Sequence, residues 1–140
     1  MKPSQRAADF MASYREAFMD KDAEKVASHY AEPMLAYSAG NKVVFQDHQI
    51  ATAKVKELFA IYASMGMLDA EILSMEAVLC EGNIEELFLE WCLYGRDKVK
   101  LISFKTSYTL LHGNEKTECL FAISHNEVSE IKKFFAARKK

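Results

Sequence analysis

The sequence predicts an α+β fold: a curved, mainly antiparallel sheet wrapped around helices of the N-terminal half, followed by a short C-terminal helix. Through most of the first half, apolar residues recur at three- and four-residue steps, which is typical of helices packed on one side. From Leu68 to Ser124 apolar and polar residues alternate, which is typical of strands. Within that region Ile84 to Asn114 reads as two long strands joined by a tight turn. Each arm exceeds the usual strand of ~5–6 residues, so the sheet has to bend and twist to stay compact.

Three helices and a short hairpin are predicted before the long strands. The helices run from about Ser4 to Met19, from about Ala23 to Ala31, where Pro33 closes the helix, and from about His48 to Met65, where Gly66 is a stop signal. Ser4 and Asp47 can cap the first and third of them. The residues MLAYS and KVVFQ are predicted to pair around the turn Ala39-Gly40-Asn41.

Four strands and a last helix follow. The strands are predicted from Leu68 to Cys80, from Ile84 to Tyr94, from Val99 to Leu111 and from about Lys116 to Ser124. The helix is predicted from Asn126 to Lys140. The first arm of the central hairpin has one clearly apolar side, which is predicted to face the core: Leu87, Leu89, Trp91 and Leu93. As the only tryptophan, Trp91 is predicted to lie inside and to need a partner for its indole N–H.

The second arm leaves two alternatives open. Its more apolar side holds Ile102, Phe104, Tyr108 and Leu110, and its other side holds Lys105, Ser107 and Thr109. Either the apolar side faces outward and forms an interface, or a bulge shifts the phase of the strand. The first alternative, together with Phe88 and Cys92, predicts a homodimer through the outer sheet face, since so large an apolar patch is rarely left exposed.

Length and composition favour one domain that spans residues 1–140. Half of the residues are hydrophobic and the net charge is -2 with a pI near 6.1, so no attraction for nucleic acid or an anionic membrane is expected. Three cysteines without CxxC spacing argue against disulfides and a zinc site, and four scattered histidines argue against another metal site. No apolar run approaches the ~20 residues of a membrane span, and a cytoplasmic location is expected. No phosphate loop or dinucleotide fingerprint is present, so no cofactor is expected.

The order of elements resembles a known superfamily. Its most recognisable part is the run Tyr14-Arg15-Glu16-Ala17-Phe18-Met19-Asp20-Lys21-Asp22 followed by Val26-Ala27-Ser28-His29-Tyr30. This run is similar to the opening of the nuclear transport factor 2-like superfamily, which includes SnoaL-like cyclases and ketosteroid isomerase. The resemblance implies a cone-shaped α+β barrel with an internal pocket, and an outer face that often makes a dimer.

The resemblance also implies positions for a site. Tyr14 matches the helix-1 tyrosine that serves ketosteroid isomerase as an oxyanion donor. That enzyme combines an aspartate base with a tyrosine and a protonated aspartate. Tyr37 stands where the family has its catalytic base and Ser107 where it has a protonated acid, so steroid isomerisation is not expected. The residues predicted to line a pocket for a small apolar or aromatic, uncharged ligand are Tyr14, Phe18, Tyr30, Tyr37, Leu87, Leu89, Trp91, Ser107 and Thr109.

Three functions remain open from the sequence. The first is a cofactor-independent enzyme of the SnoaL-like kind, a cyclase, dehydratase or hydrolase, for which Tyr14, Tyr37, His125 or Lys105 would supply the titratable group. The second is a pocket that binds a small apolar molecule without converting it. The third is a homodimeric interaction module whose cavity is filled by side chains. Core packing competes with ligand contact for every aromatic residue named above.

Overall fold

The computed structural model describes residues 1–139. Its elements in chain order are α1 (Gln5–Met19), α2 (Ala23–Ala27), β1 (Tyr30–Ser38), β2 (Asn41–Phe45), α3 (His48–Met65), β3 (Asp69–Glu81), β4 (Ile84–Tyr94), a 3₁₀ turn (Arg96–Lys98), β5 (Lys100–His112), β6 (Thr117–Ser124) and α4 (Glu127–Ala137). Among these residues no helix combines the length and apolar character that crossing a membrane requires.

The strands form one six-stranded sheet in the order β2-β1-β6-β5-β4-β3. Every neighbouring pair is antiparallel except β1 and β6, which are parallel. Register shifts interrupt β3 at two places, between Ile72 and Ser74 and between Ala77 and Leu79, and such bulges increase bending and twist. The α+β class with a curved, mainly antiparallel sheet is therefore confirmed.

The helix ends follow the caps read from the sequence. The Ser4 hydroxyl accepts a hydrogen bond from the Ala7 N–H at 3.1 Å, and the Asp47 carboxylate accepts one from the Ile50 N–H at 2.9 Å. Gly66 ends α3 with a φ of 85°, a left-handed conformation that glycine adopts without a steric cost. The apolar stripe of α1 then packs into the concave side of the sheet, where its alanines and aromatic residues are buried.

One helix is shorter than predicted. α2 ends at Ala27 instead of Ala31, and the chain already enters the sheet at Tyr30. The Cys119 N–H donates to the His29 carbonyl at 2.9 Å, so pairing with β6 begins at this point. Pro33 lies inside β1 and not at a helix end, because proline favours an extended residue before it.

The second arm of the hairpin takes the phase opposite to the one predicted for Ser107 and Thr109. Trp91 pairs with Phe104, Leu89 with Thr106, and Leu87 with Tyr108. Paired residues of an antiparallel ladder share a face, so all of these side chains point into the cone. The apolar residues on which the dimer prediction depended are buried inside: Ile102, Phe104, Tyr108 and Leu110. That basis for an outer interface is therefore wrong.

Helix α4 continues the layer where β6 stops. β6 pairs with β5 only from Thr106 to His112, which leaves the first half of β5 without a strand on that side. The Lys105 N–H donates to the Asn126 side-chain oxygen at 2.8 Å, and α4 then packs along β5. A helix that covers a strand edge protects its unpaired backbone groups. The first turn of α4 consequently lies at the rim of the cone.

Candidate functional site

The helices and the inner sheet face enclose a cavity of about 200 Å³. It lies between α1 and α3 on one side and β1, β3, β4, β5 and β6 on the other, and the first turn of α4 completes its wall. The aromatic residues that line it are Tyr14, Phe18, Tyr30, Tyr37, Phe45, Tyr62, Trp91, Phe104 and Tyr108. The remaining lining consists of small or apolar side chains, three hydroxyl residues and one acid, Glu127.

Two tyrosines form a hydrogen-bonded pair in this wall. The Tyr14 and Tyr30 hydroxyl oxygens lie 2.6 Å apart, and the Tyr14 ring packs edge-on against Phe18 and Tyr108, with centroid distances of 5.0 and 5.9 Å. Burial raises the pKa of both phenols well above the ordinary value of 10.0. Both hydroxyls are therefore neutral. One donates to the other, so the accepting hydroxyl keeps its own proton for a further partner.

Trp91 lies on the inner face, as the strand parity predicted. Its indole N–H donates to the Thr106 hydroxyl at 3.1 Å, which satisfies the polar atom of an otherwise buried side chain. Since Trp91 also lines the cavity, its fluorescence reports on that space.

Glu127 is the one carboxyl group of the cavity wall in residues 1–139, and it was not among the site residues predicted from the sequence. It stands at the first position of α4, where the Tyr62 hydroxyl donates to Oε2 and the Ser124 hydroxyl donates to Oε1 at 3.3 Å. Burial raises its pKa, although the two hydrogen bonds act in the opposite direction. A signal was present in the sequence: Glu127 precedes Ile131 and Phe134 by four and seven residues, which places it on the apolar stripe of its helix.

The fold and the cavity can be set beside known proteins. The family described as NTF2-like protein (DUF6841) matches residues 4–127. The chain belongs to this NTF2-like family. A solved NTF2-like protein of unknown function from Shewanella oneidensis MR-1 superposes with a TM-score of 0.70 at 12% identity, covering 89% of this chain and 99% of that one. At such low identity the likeness shows the fold alone.

Two further NTF2-like structures give the same result. One from Novosphingobium aromaticivorans, described as having a cystatin-like fold, has a TM-score of 0.71 at 9% identity and covers 93% of this chain and 86% of its own. One of unknown function from Pseudomonas putida KT2440 has a TM-score of 0.65 at 10% identity and covers 85% of this chain and 82% of its own. None of the curated proteins matches the sequence.

The NTF2-like cone brings only some of the predicted site residues together. Tyr14, Phe18, Tyr30, Tyr37 and Trp91 line the cavity. Tyr37 lies at its rim and is 39% exposed, which makes it the most accessible of the five.

The other four predicted residues do not reach the cavity. Leu87 and Leu89 point inward but are fully buried in the filled part of the core. Ser107 and Thr109 lie on the outer face because their partners across the ladder, Phe88 and Glu86, face outward too. The prediction that these two hydroxyl residues face the ligand is wrong, since the register of the hairpin forbids it.

Two charged candidates from the sequence also lie outside the cone. Lys105 is exposed and pairs in register with Glu90 on the outer face. His125 accepts or donates a hydrogen bond with Ser107 at 2.7 Å and lies against the Phe88 ring, with a centroid distance of 5.6 Å. Neither group is placed to act on a molecule inside the cone. Within the described part of the chain no cluster of three or more histidine, cysteine or acidic side chains has the arrangement of a metal site.

A second buried acid, Glu85, lies away from the cavity. Its carboxylate accepts hydrogen bonds from the Ser4 N–H at 2.9 Å, the Ser4 hydroxyl at 2.6 Å and His112 Nε2 at 2.7 Å. Burial raises its pKa, but these hydrogen bonds outweigh burial and hold the pKa below the ordinary value of 4.5. Glu85 therefore joins the start of α1 to β4, and its role is structural.

Proposed function

We propose that this NTF2-like protein binds a small, largely apolar, uncharged molecule inside its cone. The observation that carries the proposal is the size and lining of the cavity, about 200 Å³ enclosed mainly by aromatic rings. An apolar cavity of ~150 Å³ already accommodates benzene, whereas pockets for drug-sized molecules measure ~300–1,000 Å³. A molecule with one ring matches this volume, and a steroid exceeds it.

The charges around the cavity support an uncharged ligand over an anion. No lysine, arginine or histidine is among the lining residues within positions 1–139, while Glu127 and several neutral phenols are. An anion buried there would have no counter-charge, and burying an unpaired charge costs several kcal/mol.

A titration with ethylbenzene tests the proposal. We expect saturable binding that changes the emission of Trp91, since the indole lines the cavity. Ala122 lies on the inner face beside Tyr108, and Ala122→Leu should fill part of the cavity and abolish the change. Ala12→Leu, on the exposed side of α1, is the matched control and should bind like the wild type. Absence of binding to the wild type, or equal binding by both leucine variants, would refute a ligand site in the cone.

We further propose that two copies associate through the outer sheet face. The side chains that support this are Phe88 and Phe121, which lie on outward positions of β4 and β6 on either side of β5. Both remain partly exposed in one copy, and apolar groups at the centre of an open sheet face are covered well by a symmetric second copy.

Light scattering at micromolar concentration tests this association. We expect about twice the chain mass of 15.9 kDa, and a return to the mass of one chain for Phe88→Lys. A wild-type protein with the mass of a single chain would exclude the dimer and leave ligand binding untouched.

A further inference from the structure

The two oxygens of the Glu127 carboxyl group are not equally engaged. The Tyr62 hydroxyl donates a hydrogen bond to Oε2. The Ser124 hydroxyl lies 3.3 Å from Oε1, which is long for a hydrogen bond between two oxygens, normally ~2.5–3.0 Å. Oε1 therefore has capacity for a stronger partner, and the residue that carries it lines the cavity.

The groups that face this carboxyl do not compensate a negative charge. They are the phenols of Tyr62 on α3, Tyr30 on β1 and Tyr108 on β5, each of whose pKa is raised mainly by burial and further by the charge of Glu127. On its own side of the wall, His125 and Lys132 border the surface groove next to Glu127. Neither makes an ion pair with it in the described chain, where the ion pairs of α4 involve Glu130 and Lys133.

We propose that Glu127, in its protonated form, is the hydrogen-bond donor of the cavity and selects ligands that carry a neutral acceptor oxygen, such as a carbonyl attached to one ring. Oε2 continues to accept from Tyr62, and a proton on Oε1 donates to the ligand, which replaces the long contact between the Ser124 hydroxyl and Oε1. This inference rests on the proposed ligand site and assigns the polar end of that ligand. Burial raises the pKa of Glu127, and a bound apolar molecule strengthens that effect because it excludes water.

The alternative is a ligand that requires the ionised form of Glu127. If Glu127 bound as a carboxylate, it would pair with a protonated amine held against the aromatic rings. The hydrogen bonds from Tyr62 and Ser124 would suit that form, but the burial that raises the pKa of Glu127 acts against it. Oε1 lies in the cavity wall with only a hydroxyl at 3.3 Å, which leaves room for a donor proton directed at the ligand, so the neutral acceptor is the class proposed. The amine becomes an outcome that the experiment distinguishes.

Three probes of similar size separate these possibilities: acetophenone with a neutral carbonyl, ethylbenzene with no acceptor, and benzylamine with a positive charge. Each is titrated into the full chain and followed by Trp91 emission between about pH 5 and pH 9. At about pH 5 we expect acetophenone to bind about fivefold more tightly than ethylbenzene, because one hydrogen bond has a net effect of about this size. Above the pH at which Glu127 ionises, acetophenone affinity should fall about tenfold per pH unit, since its binding requires the proton.

Variants assign the effect to one side chain. Glu127→Gln keeps an N–H donor of the same reach, so acetophenone should bind it with little dependence on pH. Glu127→Leu removes the donor and should abolish the preference over ethylbenzene. Glu130→Gln, on the outer side of the same helix, should behave like the wild type. Ethylbenzene binding in all variants serves as the measure that the cavity is intact.

The outcomes are distinct from failure of the proposed function. If ethylbenzene binds but acetophenone shows no preference or no pH dependence, the cone holds a ligand and the role of Glu127 is refuted. Benzylamine that binds more tightly as the pH rises, and that is lost in Glu127→Gln, refutes it as well. If no probe binds, both the ligand site and the inference fall.

Discussion

Two glutamates of the cone have pKa values that their surroundings shift in opposite directions. Glu85 is 1% exposed and accepts three hydrogen bonds from Ser4 and His112, so its pKa lies below 4.5. Glu127 accepts two hydrogen bonds from uncharged hydroxyls, and burial raises its pKa. Burial alone therefore does not set the direction in which a carboxyl pKa shifts, because the number and kind of hydrogen-bond donors act on it as well.

The surroundings of Glu85 and Glu127 also differ in how tightly the side chains pack. Around Glu85 the core is filled, with Leu87, Leu89 and Met11 fully buried. Around Glu127 a space of about 200 Å³ remains. A filled end stabilises the fold, whereas an open end keeps room for a ligand at some cost in stability.

The largest effect is expected from removing Glu85. Glu85→Ala leaves the Ser4 donors and His112 without an acceptor and detaches the start of α1 from β4. We expect a loss of about 3 kcal/mol in the free energy of unfolding at neutral pH, measured with urea. Glu86→Ala, on the outer face of the same strand, is the control and should change it by less than about 0.5 kcal/mol. Equal losses of unfolding free energy in the two variants would show that Glu85 does not hold the start of α1 against β4.

The tyrosine pair at the cavity provides the next effect. Tyr14→Phe and Tyr30→Phe each leave one buried hydroxyl without its partner and should cost about 1–2 kcal/mol of stability. The double variant removes both hydroxyls and should cost less than the sum of the single changes, because nothing is then left unpaired. Additive losses in a thermodynamic cycle would mean that the 2.6 Å contact has no energetic coupling.

The contributions of Glu85 and Glu127 to stability are expected to depend on pH in opposite ways. Because the folded pKa of Glu85 is depressed, its contribution is present above pH 4.5 and is lost as the pH falls through the folded pKa. Because the folded pKa of Glu127 is raised, stability declines as the pH rises from 4.5 towards the folded pKa.

Unfolding free energies measured across this range test the two signs. Glu85→Gln should flatten the acid limb of the curve, and Glu127→Gln should flatten the limb above pH 4.5. A variant that flattens the wrong limb would contradict the assignment of the two groups.

The smallest effect on stability is expected from filling the cavity. Ala122→Leu adds apolar volume where space exists, so the free energy of unfolding should change by less than about 1 kcal/mol. An equivalent enlargement in a filled core costs about 1–3 kcal/mol. Thermal unfolding of Ala122→Leu beside Ala77→Leu, which lies at the filled end and is 1% exposed, makes the comparison. A larger loss at Ala122 than at Ala77 would mean that the cavity does not exist in solution.

Much of the fold could be predicted because local signals agree with the tertiary structure. The caps Ser4 and Asp47 and the stop at Gly66 are decided within a few residues, and the structure has all three. The long hairpin follows from the alternation around Trp91 in the same way.

The site was harder to predict because its members come from distant segments. The phase of β5 depends on its register with β4, and the sequence of β5 has an apolar side that suits either a core or an interface. Glu127 reaches the cavity only because β6 stops at Ser124 and α4 replaces it beside β5. The helical spacing places Glu127 on the apolar stripe of α4, but the sequence of β6 does not show where that strand ends relative to β5, and this end decides that Glu127 reaches the cavity.

Infrared spectroscopy of the folded chain tests directly whether Glu127 holds a proton, since a protonated carboxylic acid has a C=O band that a carboxylate lacks. We expect such a band to persist above pH 4.5, the ordinary pKa of glutamate, to disappear in Glu127→Gln, and to remain in Glu85→Gln. A protonated Glu127 would be contradicted if the wild type lacked the band above that pH, or if the band were lost in Glu85→Gln and kept in Glu127→Gln.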